Sequence, residues 1–382
     1  MPTFSETFRS LAFDQQIDVA ATASSQSIER ILAQGRAHSL SDFAALLSPA
    51  AEAYLEPLCK LSQQITQKHF GKTMRMFAPL YLSNECVNIC KYCGFSRNND
   101  IPRITLDLDK VEAEAKILSA QGFRSILLVA GEHPKYVSNG YVEECVRRLS
   151  KYYPSIALEL GPLEAERYEP LVAAGCEALL VYQETYHQDT YEKLHTAGPK
   201  KRFHWRMDTP ERAYAAGFRR LGIGALFGLY DWHFEALALA SHAQHLLKTC
   251  WKAQLNVSMP RMRPAKGEFE QIEFLKDHNF VQLIAALRIF LPHAGITLST
   301  REPASLRDGL IPLGITTMSA GSSTEPGGYS SFDESSFQQT RKQDAEQFHI
   351  ADERSPKDVA TAISKLGYEP VWKDFDQSLI QA

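Results

Sequence analysis

Three cysteines, Cys86, Cys90 and Cys93, stand in the run Ser83-Asn84-Glu85-Cys86-Val87-Asn88-Ile89-Cys90-Lys91-Tyr92-Cys93-Gly94-Phe95, spaced C-x3-C-x2-C. Thiolates this close on one short loop can wrap a corner of a cubic [4Fe–4S] cluster, which ordinarily takes four cysteine ligands. With three supplied, one iron keeps an open coordination site, and open sites are where metals do chemistry. A zinc knuckle, a disulfide pair or buried structural thiols are the plainer readings. Zinc would want a fourth Cys or His at ligand spacing, and the next histidine is His133.

The chain has 382 residues, 44% hydrophobic and 23% charged, an ordinary soluble composition for one large domain or two small ones. A net charge of −4 suggests no surface for nucleic acid. The opening Met1-Pro2-Thr3-Phe4-Ser5-Glu6 lacks the basic and apolar regions of a secretory signal, and no apolar run is long enough for a membrane span. Seven cysteines, three of them clustered, argue against a disulfide framework and for a reducing cytoplasm. Cys59, Cys145, Cys176 and Cys250 are isolated and read as core-packing thiols.

The loop needs a scaffold, and the chain around it alternates strand and helix signals. Short apolar strands are expected at 76–82, 125–130, 156–160, 178–182, 220–226, 254–257, 295–298 and 314–318. Helices are expected at 108–121, 141–152, 164–174, 210–216, 234–250 and 281–290. About eight β/α units make an α/β fold of the TIM (β/α)8 barrel type. Active residues of such barrels sit at the C-terminal ends of the strands, and the cysteine loop follows the first strand directly. Residues 1–70 read as a helical cap, with a helix over 52–70 that Pro57 either kinks or starts. The barrel takes 71–320, and 321–382 form an extension packing on it, with a last helix at 356–366.

The cysteine spacing, with aromatic Tyr92 before the third cysteine, resembles the radical S-adenosylmethionine (SAM) superfamily. The resemblance implies a single three-cysteine [4Fe–4S] cluster whose open iron chelates SAM, and reductive cleavage of SAM to methionine and a 5′-deoxyadenosyl radical. Tyr92 would lie beside the adenine. Ala130-Gly131-Glu132, where the family has Gly-Gly-Glu, implies contacts from Gly131 and Glu132 to the SAM amino group, a plain turn being the alternative. Glu159 sits in an apolar strand, where a carboxylate is costly unless paired. It holds a ligand ammonium or salt-bridges a basic neighbour. By position, Glu184 implies hydrogen bonds to the SAM ribose, or else an acid at a helix N-terminus. Arg206 implies a partner for the SAM carboxylate, through its fixed fork of donors, or else a structural ion pair. Gly222-Ile223-Gly224-Ala225-Leu226-Phe227-Gly228 lies within a strand, so it is no dinucleotide fingerprint; the resemblance places it along the adenine. Ser299-Thr300-Arg301 follows the seventh strand, and Ser299 and Arg301 are the expected substrate contacts. Arg301 would hold an amino-acid carboxylate, against a surface salt bridge to Glu302 or Asp308.

The resemblance covers roughly residues 77–329 and is nearest to the aromatic-amino-acid lyases: 2-iminoacetate synthases, hydrogenase-maturation tyrosine lyases and tryptophan lyases. The strings that carry it include Leu82-Ser83-Asn84-Glu85-Cys86-Val87-Asn88, Glu159-Leu160-Gly161-Pro162-Leu163, Gln183-Glu184-Thr185-Tyr186, Ser299-Thr300-Arg301-Glu302 and Ser319-Ala320-Gly321-Ser322-Ser323-Thr324. Residues 251–382 hold no cysteine, unlike the maturases with their second, C-terminal cluster. The 2-iminoacetate synthase branch fits best. It implies cleavage of L-tyrosine to 2-iminoacetate and p-cresol for thiamine thiazole synthesis, with a thiazole synthase partner and a reductant such as flavodoxin or ferredoxin. The other readings are a tryptophan lyase, a deazaflavin-synthase-like enzyme, or a non-catalytic iron–sulfur electron-transfer or scaffold protein.

Overall fold

The structure, a computed structural model, describes residues 2–137, 140–267, 269–330 and 345–372. Eight parallel strands close into a barrel: β1 (Thr73–Ser83), β2 (Ser125–Ala130), β3 (Ser155–Glu159), β4 (Ala178–Glu184), β5 (Arg220–Ala225), β6 (Gln254–Ser258), β7 (Gly295–Leu298) and β8 (Thr317–Ser319). Neighbours in sequence are neighbours in the sheet, and β8 returns to β1 with Arg75 opposite Thr317 and Phe77 opposite Ser319. The expected eight-strand barrel is therefore present, with strand ends within a few residues of those read from the apolar runs.

Strand periodicity sorts the side chains into two layers. On β1, Met76, Ala78, Leu80 and Leu82 join the core beneath the outer helices. Phe77, Pro79 and Tyr81, one residue out of phase, face the barrel interior with Leu127 and Val129 of β2. The outer layer includes helices Leu108–Ala120, Tyr141–Leu149, Ala165–Ala173, Thr209–Ala215, Trp232–Thr249 and Asp277–Phe290. Asp107 and Asp231 cap two of them through backbone N–H groups. Two further helices, Gln188–Leu194 and Ala304–Leu310, are too short to show a clear period in the sequence.

The N-terminal stretch divides into helices Phe4–Phe8, Phe13–Thr22, Ser25–Gln34, Leu40–Leu46, Pro49–Glu52 and Leu55–Phe70. Pro57 lies in the first turn of the last one, where its missing N–H is harmless, so it marks a start. These helices dock on the outer helices: the Phe43 ring stacks on Phe290 at 5.2 Å, and Gln282 Nε2 donates to the carbonyls of Leu46 and Ser48, both at 3.0 Å. The eighth strand begins later than expected, because Ile311–Leu313 form a 3-10 turn and Gly314 reverses the chain at φ 147°. Beyond the barrel, a strap over 345–352 crosses the mouth. Helix Pro356–Lys365 follows, and then strand Glu369–Val371, which pairs in parallel with the start of β1. The rest of the expected extension, 331–344 and 373–382, lies outside the described residues.

Candidate active site

The cysteine loop leaves the C-terminal end of β1 and is pinned at several points. Asn84, fully buried, donates to the Pro102 carbonyl at 2.8 Å and accepts from the Ile104 N–H at 2.7 Å. The Arg103 guanidinium gathers the carbonyls of Asn84, Phe95, Ser96 and Asn99 at 2.7–3.1 Å. Ile89–Cys90 pairs antiparallel with His195–Ala197. Gly131 has no room for a side chain: a Cβ there would lie 2.3 Å from the Glu85 carbonyl oxygen. The space a side chain would need at this glycine is taken by the cysteine loop's own backbone.

Cys86, Cys90 and Cys93 are free thiols. Burial pushes the Cys90 and Cys93 thiols up, and the nearby Lys200 ammonium opposes this. Asn88 Nδ2 lies 3.7 Å from Cys86 Sγ. Among the described residues no group of three or more His, Cys, Asp or Glu is close enough to hold a single metal ion. The donor set, three unpaired thiols on one pinned loop, is of the type that an iron–sulfur cluster takes. Of the four thiols expected to pack in the core, Cys145, Cys176 and Cys250 are buried there and Cys59 is partly buried against it.

The acids and bases of the strand ends gather beside this loop. Asn88 Nδ2 donates to Glu132 Oε2 at 2.6 Å, fixing that carboxylate beneath the cysteines. Gly161 makes the space for it, since a Cβ there would meet the Glu132 carboxyl carbon at 2.5 Å. Glu184 takes φ 73°, the left-handed region that a non-glycine residue rarely adopts. The β4–β5 register slips at the same point, and the bulge re-aims the side chain. Its carboxylate lies 2.7 Å from Lys200 Nζ and 3.7 Å from Arg206 Nη2. Burial works against its charge, but Lys200 and then Arg206 outweigh it and hold the carboxyl below its usual value. The helix that follows starts at Gln188 with His187 as cap, so Glu184 is no helix-terminal acid. Arg206 also donates from Nε to the Tyr182 carbonyl at 2.7 Å. Tyr92 directs its hydroxyl to His195 Nε2 at 2.7 Å. His195 Nδ1 sits 2.8 Å from the Tyr191 carbonyl, which makes it the N–H donor and leaves Nε2 to accept.

The strain at Glu184 has a visible counterweight. A left-handed non-glycine residue costs on the order of 1–3 kcal/mol. Glu235, on helix Trp232–Thr249, accepts from the Tyr186 N–H at 2.9 Å and from the Thr185 hydroxyl, tying down the next two residues. Glu235 is fully buried, and burial pushes its carboxyl up to about 8, from an ordinary 4.5. The folded chain keeps a proton that the unfolded chain releases, so this contribution is fully present below pH 4.5 and is lost as pH rises through about 8. Each pH unit of such displacement corresponds to about 1.4 kcal/mol. Urea denaturation midpoints should therefore fall with rising pH across this window, and Glu235→Gln should flatten the fall. Parallel profiles for the two proteins would contradict this role.

Inside the barrel the same face opens into a cavity of about 720 Å³, mouth included. Its apolar wall comes from Phe77, Pro79, Leu127 and Val129, and its polar groups include Glu159, Tyr182, Ser258, Ser299 and Arg301. An apolar wall with a few convergent polar groups is the usual make-up of a small-molecule site. Burial, and then the neighbouring Glu184, push Glu159 up to about 7 against the pull of Arg301. Among the described residues Glu159 forms no salt bridge, although Arg301, Lys200 and Arg206 are near enough to act on it. The salt-bridge partners weighed for Arg301 are engaged elsewhere. Glu302 accepts from Arg261 at 3.0 Å, and Asp308 from Arg354 at 2.9–3.0 Å. Ser299 Oγ accepts from the Arg301 N–H at 3.4 Å and lines the cavity beside it.

Sequence reasoning missed Lys200, His195, Asn88, Glu235 and the strap residues Gln347 and Phe348. Asn88 lies inside the cysteine run itself, where a polar amide two residues after the first cysteine is a local signal. The others carried no signal: Lys200 belongs to a basic run, Pro199-Lys200-Lys201-Arg202, of the kind that normally faces water.

Residues 80–240 match the family model of the Radical SAM superfamily, and residues 258–369 that of the Biotin and Thiamin Synthesis associated domain. The chain is 39% identical to the 2-iminoacetate synthase of Salmonella typhimurium, over 100% of this chain and 99% of that protein. It is likewise 39% identical to the 2-iminoacetate synthase of Escherichia coli, with the same coverage. The crystal structure of HydG, a maturase of the [FeFe]-hydrogenase, superposes with a TM-score of 0.88 at 30% identity, covering 97% of this chain and 81% of that one. No helix among the described residues is long and apolar enough to cross a membrane.

Proposed function

The chain belongs to the 2-iminoacetate synthase family of radical SAM enzymes, and from that premise we propose that it cleaves the Cα–Cβ bond of L-tyrosine to give 2-iminoacetate and p-cresol, for thiamine thiazole synthesis. As a radical SAM lyase it uses a [4Fe–4S] cluster and SAM, which leaves a non-catalytic iron–sulfur role without support.

In this reading Cys86, Cys90 and Cys93 hold the cluster. Gly131 and Glu132 receive the SAM amino group, Arg206 its carboxylate and Glu184 its ribose, with Tyr92 beside the adenine. When bound, cluster and SAM supply a carbon radical able to take a hydrogen atom from the substrate. The chain's own residues then bind and orient. Arg301 holds the tyrosine carboxylate by its planar fork, with Ser299 next to it. Glu159 faces the amino group, and with a pKa near 7 it can hold or release a proton there. The apolar barrel wall receives the ring and excludes water.

The observation that carries this reading is the Arg301 guanidinium, turned to the cavity while the carboxylates near it in sequence, Glu302 and Asp308, bind other arginines. The test is anaerobic incubation of the reconstituted protein with SAM, a flavodoxin or ferredoxin reductant, and tyrosine. p-Cresol should form in step with 5′-deoxyadenosine. SAM cleavage without p-cresol, or a product from tryptophan alone, would replace this substrate with another. Pull-down of a thiazole synthase would identify the acceptor of the imine.

A further inference from the structure

We propose that Phe348, carried into the barrel mouth by the strap, is the positioning residue that presents Arg301 to a substrate carboxylate. This rests on the reading of Arg301 as the carboxylate anchor. The Phe348 ring centroid lies 3.3 Å from the Arg301 guanidinium carbon, so ring and guanidinium are stacked face to face. Among the described residues no carboxylate or carbonyl takes a hydrogen bond from the Arg301 side chain. The ring is thus its packing partner, acting on its orientation together with the charges of Glu184 and Glu159. Stacking occupies a face of the planar group and leaves its edge, where the donors are, open for a bidentate partner.

The ring is itself held firmly. Before it, the Gln347 N–H donates to the Thr324 carbonyl at 3.0 Å, and the Gln347 carbonyl accepts from the Gly94 N–H at 3.0 Å. At Phe348, the carbonyl accepts from the Thr324 hydroxyl at 3.0 Å. After it, the N–H groups of Ala351 and Asp352 both donate to the carbonyl of Thr300, at 2.9 and 3.1 Å. Thr300 is the residue next to Arg301, so strap and arginine share one anchor. Gln347 adds a side-chain link, its Oε1 accepting from the Tyr81 hydroxyl in the cavity at 2.7 Å. The strap thus joins the cysteine loop at Gly94 to the substrate anchor at Arg301. Gly94 is where it needs space: a Cβ there would lie 2.5 Å from the Glu346 carbonyl oxygen.

The experiment uses the full-length reconstituted enzyme. Equilibrium titrations of tyrosine into the SAM-bound, unreduced protein are compared for wild type, Phe348→Leu, Phe348→Tyr, Arg301→Ala and the Phe348→Leu/Arg301→Ala pair, with turnover measured in parallel. Leucine keeps apolar bulk and removes the π face. Phe348→Leu should weaken tyrosine binding and raise its KM roughly tenfold, the loss of a desolvated cation–π contact, while the KM for SAM stays put. Phe348→Tyr should stay near wild type, and Phe348→Leu should add nothing on the Arg301→Ala background. Wild-type tyrosine affinity in Phe348→Leu, equal losses for SAM and tyrosine, or additivity with Arg301→Ala would each overturn the proposal. A wild type that makes p-cresol while Phe348→Leu binds tyrosine normally overturns only the role of Phe348. A wild type that binds neither tyrosine nor tryptophan overturns the anchor reading as well.

Discussion

Alanine at Cys86, Cys90 or Cys93 should each reduce SAM cleavage to the uncatalysed background and strip the protein of its iron–sulfur absorption. The loop that carries them is fastened by Arg103, Asn84 and the short ladder to His195–Ala197, so it cannot slide to offer another donor. Cys145, Cys176 and Cys250 are buried in the core. On the proposed three-thiolate ligation, removing one leaves the cluster with too few protein ligands to persist. The measurement is iron and sulfide content after anaerobic reconstitution, followed by 5′-deoxyadenosine formation under reductant. Intact SAM cleavage in all three variants would remove the cluster from the reading altogether.

The second large effect belongs to Arg301. Truncation to alanine should raise the KM for tyrosine by about a hundred- to a thousandfold, the roughly 3–4 kcal/mol expected when a buried charge pair loses one partner. SAM cleavage should continue without p-cresol, because the radical-forming end of the site is intact. Lysine should recover only part of the loss, since a point charge cannot reproduce the bidentate fork. The ratio of 5′-deoxyadenosine to p-cresol across wild type, Arg301→Lys and Arg301→Ala checks this. A ratio that stays constant would mean that Arg301 does not hold the reacting amino acid.

The barrel was legible because its strands are short apolar runs such as Ser125-Ile126-Leu127-Leu128-Val129-Ala130, separated by glycine-terminated helices. A parallel sheet covered on its outer face by helices leaves that pattern whatever the function. The cysteines were legible because thiolate chemistry needs them near one another in the chain. Glu235 was not, because an acid in a helix ordinarily faces water; only the fold shows it turned inward to the turn after Glu184. Phe348 and Gln347 were hidden for another reason. They meet Arg301, Tyr81 and Gly94 through space, from a segment with no periodic pattern, and nothing local marks an aromatic residue as the partner of a distant arginine.

The route of the strap also has a consequence in time. A ribosome makes β1 and the cysteine loop early, the other seven strands next and residues 345–352 only afterwards. Folding during synthesis proceeds from the N-terminal side, domains folding as units. A nascent chain therefore presents its thiols before the last segment has arrived to roof the mouth and present Arg301. The site becomes complete late in translation, so truncated or stalled chains would carry the means to capture iron without the means to steer a radical.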